Sequence, residues 1–581
     1  MPFANAAGIN EYIFTAGLLL AFVGTMVAAI LGRKQIAAVL KGSGIKWKHV
    51  GAALLVAAIF VGVEMAVVKP TQLLFFDDVI YQGGAVDLIH MGQAWMCDYG
   101  TPTTCITGEI FHEPVGTSFL LAIGYLLFGV HLAVTYHAML AVTAIAVFMA
   151  FLVGSTLLKD PIAGLFSGLI LGLTPVVLVW ASPTSSDMPM LTFGLVAVFF
   201  MIVFMRKKSL YTFTAMLLSL ALASYMKVDA LLFLPVIFIM FLILDSKELG
   251  RDVKLLMKNA LEPWFLVVIL LFMMSMLPEV VYAYTQLTTG HYGVSSSSYL
   301  SFYCIVNGPG ITTHQTLALK NLEANFCPNA MFWFGAYNST YEMQPLIYTL
   351  MAILGGLALA FRKRPELLAL VAWFGAFFVL YLVFYAGSVL FGVDWRFMLA
   401  LVAPVSILGG YLASLSFMKG ARIRNRKFMK IAKSKAVRVL AYAIIIVIIF
   451  YPLYALEPLL GVQPANVLQA PDARFYEGFV YNSIGTVPQS CLVFSYDPTF
   501  MITLNHTSAQ IGYLNAQSYS SYRDQYSCLV VDWGYWCYTP NNYCTQINQT
   551  FALQNIVNST FVPQNKTYGF YYVTGLKNGS S

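Results

Sequence analysis

The sequence predicts an all-α polytopic membrane protein of about twelve spans with outer juxtamembrane helices, followed by a small C-terminal α/β domain bearing disulfides. Three observations lead there. Of 581 residues, 59% are hydrophobic and 10% charged, against roughly 25% charged in a soluble globular chain. Apolar runs of span length, about 20 residues for a hydrocarbon core of about 30 Å, recur as far as Leu456 and then stop. Beyond that point the chain turns polar and carries four of its eight cysteines. The net charge of +7 does not point to nucleic acid, because lysine and arginine collect in the short loops between apolar runs, which is a signature of topology.

Spans are expected near residues 12–31, 49–67, 132–157, 161–181, 188–205, 209–226, 228–244, 262–283, 345–361, 367–388, 397–417 and 437–456. The first run is of span length with no basic region before it, so it reads as an anchor and not as a cleavable signal. Basic clusters at Arg33/Lys34/Lys41/Lys46/Lys48, at Arg206/Lys207/Lys208, at Arg362/Lys363/Arg364 and from Lys419 to Arg438 mark those loops as cytoplasmic. The apolar stretch Val115 to Val130 would reverse the sidedness of everything after it if it crossed. It is therefore expected to lie along the outer surface as an amphipathic helix.

That topology puts every cysteine on the outer side, where disulfides form and persist. Cys97 and Cys105 fall in a first outer loop, about residues 68–131, and Cys304 and Cys327 in a second, about 284–344; each pair is expected to be bridged. Cys491, Cys528, Cys537 and Cys544 lie in the tail, with three connectivities open. Asn-X-Ser/Thr sequons at Asn338, Asn505, Asn548, Asn558, Asn565 and Asn578 fall on the same side. The chain thus divides into a membrane module, 1–456, and an extracytoplasmic domain, 457–581. Within the latter, Ser490 to Tyr496 and Cys528 to Trp533 alternate as strands do.

Ionisable residues at span edges are the first candidates for function, since charge is costly in lipid. Asp77 and Asp78 sit where the second span emerges, and a helix there would put Asp77 and Tyr81 on one face at i and i+4. One carboxylate suits a general base, the other a metal or a sugar hydroxyl; the competing reading is a helix N-terminus stabilised by its dipole. His112-Glu113-Pro114, Asp187 before Pro189, Lys227 with Asp229, and Asp394-Trp395-Arg396 occupy other turns of the same face. Carboxylates for a base and cations for an anionic leaving group fit a substrate with a lipid tail and a phosphate head, held by Lys227 or Arg396.

These motifs resemble the polytopic glycosyltransferases of the GT-C superfamily, in particular the protein O-mannosyltransferase and aminoarabinose transferase branch. The family's acidic pair followed by a tyrosine is matched by Asp77-Asp78-Val-Ile-Tyr81. Its proline and surface helix ending in Leu-Phe-Gly are matched by Glu113-Pro114 through Leu127-Phe128-Gly129, with Glu113 standing where the aminoarabinose branch has a lysine. Asp187 is similar to a second outer acidic residue. Lys227 with Ala230 to Pro235 resembles a Lys-x-x-Ala-Leu-Leu-x-x-Pro segment, and Arg396 with Pro404 an Arg-Tyr-x-Leu...Pro segment. The resemblance covers about residues 70–410, and two spans instead of one precede the acidic loop.

It implies a GT-C fold and inverting transfer of a sugar from a polyprenyl or dolichyl phosphate to a protein, lipid or glycan acceptor. Asp77 would be the base, with Asp78, Tyr81, His112, Glu113 and Asp187 around sugar or acceptor. No cofactor is demanded; a divalent cation such as Mg²⁺ or Mn²⁺ would be held by Asp77 and Asp78. An oligosaccharyltransferase is the alternative within the superfamily, on the strength of Val530-Val531-Asp532-Trp533-Gly534, which shares an Asp-x-Gly core with that group's Trp-Trp-Asp-x-Gly. A multi-pass solute transporter is the alternative outside it, although transporters bind near the midplane, often between inverted repeats, and this chain shows neither feature.

Overall fold

The computed structural model describes residues 3–70, 75–92, 96–109, 115–244, 266–276, 319–334, 342–384, 394–415, 417, 435–457, 471–538 and 543–577. His112, Glu113, Cys304, Asn338 and Asn578 lie outside the described residues. Among those described, five helices are long and apolar enough to cross a membrane: Trp47–Val68, Leu132–Leu158, Asp187–Arg206, Glu366–Val383 and Trp395–Leu415. A bent pair, Thr15–Leu31 with Arg33–Gly42, raises that to six, and shorter apolar helices include Leu210–Met226, Leu346–Phe361 and Ile445–Ala455. The protein is an integral membrane protein, predominantly helical, with a sheet near its C-terminus.

Contacts divide the chain into two compact units. The first comprises Met1–Pro70, Met139–Ser182 and Ser186–Val462. Here helix Leu399–Leu415 packs on Pro161–Leu173 and on Leu346–Phe361, while Leu210–Met226 packs on Asp187–Arg206 and on Phe3–Leu31. Gly410 allows one of these contacts, since a Cβ there would come within 2.6 Å of the Ala163 carbonyl oxygen. Asp160 caps helix Pro161–Leu173, its Oδ1 accepting from the Ile162 N–H at 3.0 Å, with Pro161 at the first helical position. That helix stops at Thr174, and a new short helix, Pro175–Val179, starts at the proline. The apolar run 161–181 is therefore broken, because a residue before proline is disfavoured in the α conformation.

The second unit comprises Thr71–Ala138, Pro183–Ser185 and Gln463–Ser581. Its centre is a seven-stranded sheet formed by β1 (Met96–Thr101), β2 (Thr104–Glu109), β3 (Cys491–Ser495), β4 (Thr507–Gln510), β5 (Cys528–Trp533), β6 (Phe551–Phe561) and β7 (Lys566–Leu576), in the order β2-β1-β4-β3-β5-β7-β6. The middle strands β4, β3 and β5 run parallel, and the flanking pairs are antiparallel. β3 is buried at every position, as a central parallel strand covered on both faces should be. Cys491 and Cys528 are register partners on β3 and β5 and are disulfide-bonded; Cys97 is bonded to Cys105 across the β1–β2 hairpin, and Cys537 to Cys544. Cys327 is an exposed thiol on helix Leu319–Trp333, and the partner expected for it, Cys304, is not among the described residues.

Helix Phe75–Met91 belongs to this unit and packs on the short helix Pro498–Thr503. The approach is so close at Gly83 that a Cβ would sit 1.8 Å from the Thr499 side chain. The apolar stretch after the first loop forms helix Gly116–Phe128, whose end leaves Leu126, Leu127 and Phe128 exposed.

Candidate functional site

In the first unit, polar side chains meet where helices end. Asp187 opens helix Asp187–Arg206, where the helix dipole favours a carboxylate. Helix Leu210–Met226 stops at Met226, Lys227 is extended at φ −158° and ψ 136°, and a 3₁₀ turn Val228–Leu232 carries Asp229. Tyr381 lies in the last turn of Glu366–Val383, and Arg396 and Phe397 in the turn Asp394–Met398. Polar residues gather at these ends because the apolar interiors of the helices cannot accommodate them.

Four residues singled out in the sequence, Asp187, Lys227, Asp229 and Arg396, are brought together here. Lys227 Nζ lies 2.7 Å from Asp187 Oδ1 and 3.6 Å from Asp229 Oδ2, and Arg396 Nε lies 3.9 Å from Asp187 Oδ2. The Tyr381 hydroxyl donates to Asp229 Oδ2 at 3.5 Å. Lys227 stands over the Phe397 ring at 4.3 Å, and Arg396 lies 5.3 Å from Phe397 and 5.9 Å from Trp180. Among the described residues, two cations thus face two carboxylates. The two cations differ in access: Lys227 is 3% exposed, Arg396 19%. Lys227 lies between two carboxylates and is nearly closed off, whereas Arg396 is the more exposed of the two cations.

In the same unit, helices Leu319–Trp333, Leu346–Phe361, Glu366–Val383 and Leu399–Leu415 border an open apolar cavity of about 540 Å³, lined by Trp333, Leu357, Phe374, Phe378, Pro404 and others. Phe374 and Phe378 stack at 5.5 Å, and Tyr381 follows one turn later on the same helix. Asn325 secures that helix end, donating to the carbonyl oxygens of Tyr381 and Leu382 at 3.2 Å and of Phe384 at 2.7 Å.

In the second unit, Asp77 and Asp78 occupy the first turn of helix Phe75–Met91; Asp77 is half-buried, while Asp78 and Tyr81 are buried. Adjacent helical positions diverge by about 100°, so Asp77 and Asp78 leave the helix in different directions. Gln82 donates to Thr184 at 3.4 Å. Helix Pro471–Ser483 packs on the same helix, Val79 sharing a core with Tyr476 and Val480. Desolvation, then the nearby Glu477, Tyr136 and Asp78, push the Tyr481 phenol above its usual range. Asp87 has a carboxylate oxygen within 4.8 Å of the Cys97 and Cys105 sulfurs. Those sulfurs are tied in a disulfide and do not ligate a metal; burial alone pushes Asp87 up to about 8.

Asp532, at the end of β5, is wholly buried. Its Oδ2 accepts from the Tyr476 hydroxyl at 2.5 Å and from the Ser495 hydroxyl at 2.7 Å. An acceptor chain cannot reach it without displacing those groups.

Tyr381, Phe397, Trp180 and Asn325 were not singled out by sequence, since aromatic and amide residues at helix ends carry no spacing signal. Glu64 was also missed. It is buried in the π turn Glu64–Val68, and its being the only carboxylate in the apolar run 49–67 was the available sign.

The chain shares its fold with ArnT from Cupriavidus metallidurans, in agreement with the fold that the motif resemblance implies. A model of the dolichyl-phosphate-mannose-protein mannosyltransferase family matches residues 112–282, less than a third of the chain. ArnT from Cupriavidus metallidurans in the apo state is similar at 14% identity and TM-score 0.52, covering 90% of this chain and 96% of that one. Its form bound to undecaprenyl phosphate gives 14% and 0.51, with coverages of 91% and 98%. The Archaeoglobus fulgidus oligosaccharyltransferase in complex with Zn and sulfate gives 13% and 0.50, with coverages of 89% and 72%. No curated protein sequence matches the chain.

Proposed function

We propose that the protein is a membrane glycosyltransferase that moves a sugar from a polyprenyl- or dolichyl-phosphate carrier to an acceptor hydroxyl, on the non-cytoplasmic side and with inversion. The observation that carries this reading is the Asp187–Lys227–Asp229–Arg396 cluster, in a helical unit that also holds an open apolar cavity. A lipid tail suits the cavity, and a phosphate suits the accessible guanidinium, which presents several donors in a fixed fork. Lys227 acts as an internal strut: paired with Asp187 and Asp229, it holds Asp187 against Arg396. Asp77 is the general base, on the resemblance of Asp77-Asp78-Val-Ile-Tyr81 to the family's acidic motif, and cationic charge stabilises the departing phosphate. The match of the mannosyltransferase family model to residues 112–282 and likeness to an ArnT structure bound to undecaprenyl phosphate support the donor class.

The test is binding of dolichyl phosphate to the purified protein in detergent. Arg396→Ala is expected to weaken binding by about tenfold or more, the equivalent of about 1.4 kcal/mol, and Arg396→Lys to recover it only in part. Unchanged affinity in Arg396→Ala would remove the phosphate from this cluster. The oligosaccharyltransferase alternative has less support, since Asp532 is enclosed by Tyr476 and Ser495 and is not displayed to a peptide.

A further inference from the structure

Four of the Asn-X-Ser/Thr sequons fall on described residues, at Asn505, Asn548, Asn558 and Asn565, and all four asparagines are exposed on the second unit. That unit also holds the disulfides Cys97–Cys105, Cys491–Cys528 and Cys537–Cys544, and disulfides persist where the surroundings are oxidising. The proposed transfer reaction uses none of these asparagines.

The fold separates the four. Asn505 precedes the buried His506, whose ring is bonded to the Leu504 and Val487 carbonyl oxygens at 3.0 Å, and Thr507 is paired with Leu492 in β4, a strand flanked by β1 and β3. Asn548 is tied to Lys577, whose Nζ donates to its carbonyl oxygen and, at 3.5 Å, to its Oδ1. Asn558 lies within β6 opposite Gly569, its side chain hydrogen-bonded to the Tyr571 phenol. Asn565 differs from all three. It stands at the tip of the β6–β7 hairpin, just after the 3₁₀ turn Val562–Gln564, at φ 51° and ψ 32°. Few residues other than glycine adopt this left-handed conformation readily, and asparagine is one of them. Residues 562 to 565 form an unbroken exposed run, with Val562 at 83%. Among the described residues no hydrogen bond holds the Asn565 side chain. Lys566, and not proline, fills the middle position of the sequon, and Thr567 supplies the hydroxyl of the third. That hydroxyl lies 3.5 Å from the Thr560 hydroxyl across the hairpin.

We propose that Asn565 is an N-glycosylation site, taking a glycan from a polyprenyl phosphate or diphosphate donor through a separate transferase. The Asn565 Nδ2 attacks the anomeric carbon; the C1–O bond to phosphate breaks as the C1–N bond forms, the amide gives up one proton, and the lipid phosphate leaves with the bonding electrons. A bulky, solubilising group is accommodated at such a surface turn. The site rests on the non-cytoplasmic placement proposed above, and not on the identity of the reaction this protein catalyses.

The full-length protein, purified from the membranes of the cells that make it naturally, is digested and its peptides are weighed by mass spectrometry. The peptide containing Asn565 is expected to exceed its sequence mass by one or more sugar residues. The increment vanishes in Asn565→Asp, which keeps a residue tolerated in the left-handed turn, and in Thr567→Val, and it remains in Thr567→Ser. A bare Asn565 peptide in the parent overturns the proposal and leaves the asparagine as a turn former only; so does an increment that persists on that peptide in Asn565→Asp. The parent measurement decides even where a variant does not fold. Protease added to intact cells reports the side of the membrane separately. A second unit digested from outside with Asn565 bare sinks the site alone, whereas a protected unit with Asn565 bare sinks the placement as well.

Discussion

Lys227 keeps its charge in a place where water does not reach it, and it does so because two carboxylates lie within 3.6 Å. Removing the amine leaves the buried Asp187 with Arg396 alone and takes from Asp229 the cation it faces, and breaking a buried pair typically costs about 3–5 kcal/mol. Lys227→Met is therefore expected to lower the unfolding midpoint sharply, and adding Asp187→Leu to restore part of the loss; a parental midpoint in the single variant would contradict the strut role. Asp87 behaves in the opposite sense. Its folded pKa of about 8 lies above the 3.8 of an unperturbed aspartate. Its contribution is fully present below pH 3.8 and is lost as pH rises through 8, at up to about 1.4 kcal/mol per unit. Unfolding midpoints measured from pH 4 to 9 are expected to show a falling component that Asp87→Asn removes. Charge at span edges made Asp187, Lys227 and Arg396 legible in the sequence. Nothing there told which cation is committed and which is accessible, because that depends on Asp229 and on the ring of Phe397.

At the scale of elements, the strands Cys491–Ser495 and Cys528–Trp533 were legible from the strand-like stretches Ser490 to Tyr496 and Cys528 to Trp533. The hairpin β1–β2 was not. Met96–Thr101 and Thr104–Glu109 lack alternation, and the signs of a hairpin were confined to two cysteines eight residues apart around Thr101-Pro102-Thr103-Thr104. The break at Pro175 was likewise hidden inside a run apolar enough to read as one span. Helix ends also matter for the site. Asn325 fastens three carbonyls at the end of Glu366–Val383 and so fixes Tyr381 against Asp229. Asn325→Leu strands those acceptors at a cost of about 1–3 kcal/mol. Faster hydrogen exchange at Tyr381–Phe384 is expected in that variant, and exchange at the parental rate would deny the clamp.

For the whole molecule, hydropathy gave the membrane class because a chain this apolar has no other solvent, and the fold shared with ArnT agrees with it. Unit boundaries were harder to read: residues 71–138 fold with 463–581, and a long sequence gap conceals that pairing. The account's central claim is chemical: a carboxylate on the first turn of helix Phe75–Met91 removes the acceptor proton while the sugar leaves its lipid phosphate. The most direct measurement is transfer of mannose from dolichyl-phosphate mannose by purified protein, parent against Asp77→Asn, with folding of both checked by thermal unfolding. The account predicts a loss of at least about a hundredfold, the usual worth of a general base, with donor binding retained. Transfer at the parental rate by a folded Asp77→Asn protein would contradict it.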